Sequence, residues 1–154
     1  MEVQRKIEAA RFRLCQRYPF LARAVFAMVP VLTAEIPAAM GVDRAWRLYV
    51  NPELIAGWSV EETETVLYHE VLHLILDHAG RAEAMGVEPY NARAWNVAAD
   101  AETTTTSPPR ASGSRPSPGE IRTAGCTWAS LSSRGRSDSR RGSWPRAKIG
   151  RAHV

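Results

Sequence analysis

Apolar residues return at helical spacing from the start of the chain: Ile7, Ala10 and Leu14 form one stripe between Glu2 and Gln16, with Arg5, Lys6, Arg13 and Arg17 outside it. Pro19 interrupts this helix, and Phe20 to Val29 predicts a second, more apolar one (Leu21, Val25, Met28) that Pro30 ends. After a loop containing Pro37 and Gly41 the period changes. Trp46, Leu48 and Val50 alternate with Arg47 and Tyr49, the pattern of a half-buried strand, and Asn51-Pro52 stops it. Ser59 followed three residues later by Glu62 is a capping-box signature ahead of an apolar segment running to about Ala79, with Gly80 as its stop. Val66, Leu67, Val71, Leu72, Leu74, Ile75 and Leu76 make this segment apolar nearly all round, so it belongs in the centre of a domain. A further helix is expected around Ala94 to Glu102.

The central helix carries the chemistry. His69-Glu70-Val71-Leu72-His73 places two histidines about 40° apart and one turn along, so both imidazoles can reach one ion, as tetrahedral zinc requires. Glu70, beside the first histidine, has the position of a general base toward a zinc-activated water. HExxH also occurs by chance, with histidines that are simply buried and satisfied. Here three of the chain's four histidines (His69, His73, His78) fall within ten residues on a capped, apolar helix. Burying imidazoles and a carboxylate there is costly unless they are paired or bind metal.

A third ligand must come from elsewhere in the chain. On an unbroken helix His78 stands about 180° round from His69 and about 140° from His73, and so faces away. Leu76 and Ala79 occupy the positions where the metzincin pattern has Gly and His, which excludes that subclass. The candidates are Glu88, Asp100 and Glu102, and Asp100 is preferred because Asn96 precedes it by one turn on the same helical face. Asp77, four residues after His73, either orients a ligand imidazole or helps end the helix, and Arg81 caps the helix C-terminus in preference to contacting substrate. The strand from Trp46 to Val50 is either a core strand or an edge able to pair with an extended substrate.

Composition divides the chain near residue 102. Residues 1–102 hold 10 Lys+Arg against 14 Asp+Glu, and residues 103–154 hold 10 against 2. In the second part Ser, Arg, Gly and Pro supply 30 of 52 residues and Leu, Ile, Val and Phe only 4, too little apolar surface to offset the entropy of ordering. A disordered basic tail over 103–154 is expected, with a domain over 1–102. Clustered arginines permit a nucleic-acid-binding arm, but aromatic interleaving is confined to Trp128 and Trp144, so nucleic acid is disfavoured as a partner. Cys15 and Cys126 lack partners at ligand spacing, no signal-peptide pattern opens the chain, and no apolar run spans a membrane. A reducing, cytoplasmic setting follows as the expectation.

Arg11 with Tyr18-Pro19-Phe20, the run Arg47 to Glu53, the HExxH segment with His78 and Arg81, and the run Trp95 to Asp100 together resemble the metallopeptidase domain of bacterial proteins that continue into a von Willebrand factor A-like domain. The resemblance covers about residues 5–102. It implies an α+β, zincin-like fold, mostly helical with a small sheet and a central HExxH helix. His69, His73 and Asp100 would hold Zn2+, Glu70 would be the catalytic base, and a peptide or protein would be the substrate. A catalytically silent metal-binding module, or an inactive fragment, is the competing expectation.

The resemblance stops abruptly at Thr103-Thr104-Thr105-Thr106-Ser107, where an Ile-Asn-Asp-Asp-Leu type of continuation belongs. Codons such as AAC GAC GAC CTC, read out of register, give ACG ACG ACC TC, a threonine run followed by serine. Residues 103–154 are therefore expected to be a frameshifted or mispredicted segment that replaces the von Willebrand-like domain.

Overall fold

The computed structural model describes residues 2–106. Expectations for residues 107–154, including the basic segment and the nucleic-acid arm, lie outside the described residues. Among the described residues no helix is long and apolar enough to cross a membrane.

The fold is α+β, mostly helical with one three-stranded sheet. Helix α1 (Glu2–Arg17) buries the predicted stripe of Ile7, Ala10 and Leu14 against α4 (Val60–Ile75). Arg11 joins that buried face. Its Nη2 donates to the carbonyl of Met28 at 2.6 Å, tying α1 to the start of the first strand, and burial holds its pKa below the usual arginine value.

The second predicted helix is shorter than its apolar pattern suggests. A 3-10 turn (Pro19–Leu21) leads into α2 (Ala22–Ala27), and Met28 is already extended. Strand β1 (Val29–Leu32) follows, so Pro30 lies inside a strand and does not end a helix. The sheet order β1-β3-β2, with β2 at Met40–Val42 and β3 at Arg47–Val50, makes β1 an edge. There, Val29 and Thr33 donate to the carbonyls of Trp46 and Val50, so with alternating donors the missing N–H of Pro30 faces away from the ladder.

β1 runs parallel to β3 (Arg47–Val50), and β2 (Met40–Val42) runs antiparallel to it, with Met40 opposite Val50 and Val42 opposite Leu48. Since β3 is central, both its edges are already paired. It is the core strand of the two readings, and Leu48 and Val50 are fully buried. Trp46 belongs to the preceding turn, at φ 60°, and not to the strand. The Asp43 carboxylate sustains that turn: Oδ1 accepts from the backbone of Ala45 and Arg47, and Oδ2 accepts from Arg47 Nε and Tyr49 Oη. Asn51 then caps a one-turn helix, α3 (Pro52–Ile55), by accepting from Glu53 N.

The capping box forms as predicted: Ser59 Oγ accepts from Glu62 N at 3.1 Å, and Glu62 Oε2 accepts from Ser59 N at 2.7 Å. Ser59→Ala should lower the unfolding free energy by about 1 kcal/mol, read as a shifted urea midpoint at constant m-value. From this cap α4 crosses the centre of the molecule, packing on α1, β2 and two later helices, α5 (His78–Ala84) and α6 (Ala92–Thr106), with Leu67 and Val71 fully buried.

The helix ends at Ile75, earlier than the apolar segment predicts. Leu76 closes it and Asp77 turns into the left-handed region at φ 49°, which Asp tolerates better than most residues. Asp77 is thus a helix-ending residue that also caps α5 (His78–Ala84), accepting from Gly80 N at 3.2 Å. Gly80 is inside α5 and stops nothing. A Cβ there would meet the Asp77 carboxylate, so a larger residue would displace the cap from its present position. The last helix, α6 (Ala92–Thr106), continues four residues beyond the boundary expected at Glu102. Thr103–Thr106 are therefore helical, and the expectation of disorder from Thr103 is corrected for them. Thr104, Thr105 and Thr106 each bond the carbonyl four residues back, and Thr103 is completely buried.

Candidate metal centre

Two helices build the centre. α4 presents His69 and His73 on one face, and α6 lies across them with Ala99 and Thr103 buried, small enough for the two backbones to approach. Asp100, next to Ala99, is carried onto the histidine pair. His69 Nε2 and His73 Nε2 are 2.9 Å apart, and Asp100 Oδ1 is 3.4 and 3.3 Å from them. These three ligand atoms lie within 4.8 Å of one another and could hold a metal ion. Donors bound to tetrahedral zinc at about 2.0–2.2 Å stand about 3.3–3.5 Å apart, so the set fits that ion with slight opening of the imidazole pair.

Glu70 is completely buried in α4, and its charge is felt at His69. Of the other ligand candidates, Glu88 is exposed before α6, where its backbone N–H bonds the Asn91 side chain. Glu102 points to the far side of the cluster: its carboxylate pairs with Arg81 at 3.0 Å and with His78 Nε2 at 3.2 Å. Arg81 Nη1 also reaches the carbonyl of Leu76, beside the C-terminus of α4, as expected of a capping arginine.

Sequence reasoning missed two residues. His78 does not face away, because α4 breaks before it; its Nδ1 lies 2.7 Å from His73 Nδ1. The signal for the break is Asp77 with Gly80 three residues on, the spacing of a cap for a new helix. Thr103, assigned by composition to the tail, sits 3.0 Å from His69 Nδ1 through Oγ1. That hydroxyl also lies 2.8 Å from the Asp100 carbonyl, and with its one proton directed there it accepts from His69 Nδ1–H. With Nδ1–H given to Thr103, His69 Nε2 faces Asp100 and His73 as a lone pair in the neutral ring, and donates to Asp100 only when the ring is protonated.

Electrostatics separate the two histidines. Burial, reinforced by the neighbouring His69 and His78, outweighs Asp100 and pushes His73 down to about 4, which favours its neutral form. Burial also lowers His69, but the Asp100 hydrogen bond and the charges of Glu70 and Asp100 outweigh it and hold His69 above its ordinary value. Asp100 reciprocates: burial would raise its carboxyl, yet the two imidazoles bring it down to about 2. The cluster thus attracts positive charge to one point between three donors.

The sequence model of a family described as "Putative metallopeptidase domain" matches residues 2–107, which include all of α4 and α6. No curated protein and no solved structure matches the chain.

Proposed function

The chain belongs to this metallopeptidase-domain family, and from that premise we propose that it is a zinc-dependent peptide hydrolase with His69, His73 and Asp100 as ligands and Glu70 as the base. The observation that supports this most directly is the convergence of two imidazole nitrogens and one carboxylate oxygen within 4.8 Å, from two different helices. Three protein donors leave a coordination position open, the mark of a catalytic as opposed to a structural zinc site. When bound, zinc supplies Lewis acidity toward water and a substrate carbonyl alike.

The remaining steps fall to the chain's own residues. Glu70 takes the proton of the attacking water and delivers it to the departing amine, and burial keeps its carboxylate from bulk solvent while it does so. With zinc bound, His69 and His73 would be neutral donors and Asp100 the negatively charged one. A zincin-like arrangement is part of this reading, since both histidines stand on a central helix packed on a small mixed sheet. With β3 paired on both sides, the edges that the described residues leave for an extended substrate are β1 and β2. Of these, β2 ends at Val42, which lines the small cavity beside His73.

The test is metal analysis of the full chain together with hydrolysis of an unfolded labelled polypeptide. One zinc per chain is expected, with cleavage lost on chelation and restored by zinc. Zinc without cleavage would reduce the centre to a silent metal-holding module, and absence of zinc would remove the reading altogether.

A further inference from the structure

Behind the centre lies a chain of polar contacts that the metal-centre reading does not use. Arg81 is always cationic, and its Nη1 donates to Glu102 Oε1 and Oε2 at 3.2 and 3.0 Å. A carboxylate held this way accepts only, so His78 Nε2, 3.2 Å from Glu102 Oε2, carries a proton. With Nε2 protonated, neutral His78 offers a lone pair at Nδ1. His73 Nδ1, 2.7 Å away, must then be the donor. Each contact fixes the next, and the last one leaves His73 Nε2 unprotonated.

Resting on the metal-centre reading, we propose that His78 is a positioning residue that, backed by Glu102 and Arg81, locks His73 in the Nδ1–H tautomer and aims its Nε2 lone pair at the ion. Thr103 does the same for His69 from the other side. The consequence is specific. Two nitrogen lone pairs 2.9 Å apart, with Asp100 Oδ1 at 3.4 and 3.3 Å, form a convergence of acceptors that only a cation can hold together. The break at Asp77 acquires a purpose here: on a continued helix His78 could not reach His73, and its reversal into α5 turns the ring back. Outer hydrogen-bond partners that orient a metal ligand in this way typically hold about 10–100-fold of metal affinity.

The experiment measures zinc affinity of the full chain by competition with a chromophoric chelator, alongside the unfolding midpoint of the metal-free protein. His78→Phe keeps the volume and removes the acceptor, so zinc should bind about 10–100-fold more weakly. His78→Asn keeps an acceptor near the position of Nδ1 and should restore affinity to within a few-fold of wild type, although it cannot reach Glu102. A structural role alone would lower the metal-free midpoint in both variants without this recovery. Long-range 1H–15N spectra of the zinc-loaded wild type need no variant, and should show His73 protonated at Nδ1 and metal-bound at Nε2.

Unchanged affinity in His78→Phe, or His73 bound to zinc through Nδ1, overturns the inference. So does a stoichiometry of two zinc ions falling to one in His78→Phe, which would make His78 a ligand. His73→Ala separates the two levels: if it retains stoichiometric zinc, the metal-centre reading fails and this inference with it. If it loses zinc while His78→Phe binds normally, only the positioning role fails.

Discussion

Glu70→Gln is expected to keep its zinc and its fold while losing about 10²–10⁴-fold of peptide hydrolysis, the range a positioned general base contributes. The substitution preserves shape, which matters because Glu70 is among the fully buried side chains of α4. It removes the one property the mechanism needs from that position, the capacity to take a proton from water and return it to the amine. An ionised carboxylate in a buried place is costly even when partnered, so the neutral amide should leave the protein as stable as wild type or more so. Zinc affinity should fall only modestly, because the Glu70 charge raises the proton affinity of His69 from beside it and is not one of the three converging donors. Initial rates at matched zinc occupancy, with thermal midpoints recorded in parallel, give the comparison. Hydrolysis by the variant within tenfold of wild type would place the base elsewhere.

The parts of the site legible in the sequence are those set by local rules. Helical periodicity alone places His69 above His73, and the Ser59–Glu62 box fixes where their helix starts. Asp100 was visible as a helix-borne carboxylate, though nothing in periodicity specifies which helices pack together. What escaped was decided by single backbone conformations and by distant pairing. A left-handed Asp77 breaks an apolar run that periodicity extends through Ala79, and this one residue reverses His78 from the far side of the helix to a contact with His73. β1 escaped because its apolar residues continue those of α2, and its hydrogen bonds go to a strand beginning at Arg47. Pro30 looked like a terminator because the edge position that tolerates it is a property of the sheet.

The composition boundary and the structural boundary also differ, and Thr103 lies between them. Threonine is a middling helix former, and a run of four beside a Ser/Arg/Pro/Gly-rich stretch suggests an end to structure. In the fold the run completes α6: all four hydroxyls bond carbonyls one turn back, and that of Thr103 is also buried against His69. The segment expected to be misread sequence thus supplies a contact to the centre, and the family match also extends beyond Glu102, to residue 107.

A chain ended after Glu102 is therefore expected to be impaired where one ended after Thr106 is not. The shorter chain loses Thr103, leaving the buried Nδ1–H of His69 without its acceptor, a penalty of about 1–3 kcal/mol for that group alone. It also puts a terminal carboxylate at the negative end of α6, one residue from the Asp100–Ala101 turn that carries the third donor. Loss of the hydroxyl frees His69 to protonate at Nε2, the nitrogen aimed at the ion, so zinc should bind at least about 10-fold more weakly. Thr103→Val in the full chain tests the hydroxyl without the truncation: it should reproduce the weaker zinc binding and the stability penalty of that one group, and spare the rest of α6. Urea unfolding and chelator competition on wild type and the three altered chains make the comparison. Equal zinc affinity in the chain ended after Glu102 and in wild type would show that the last turn of α6 lies outside the working domain and that composition had drawn the boundary correctly.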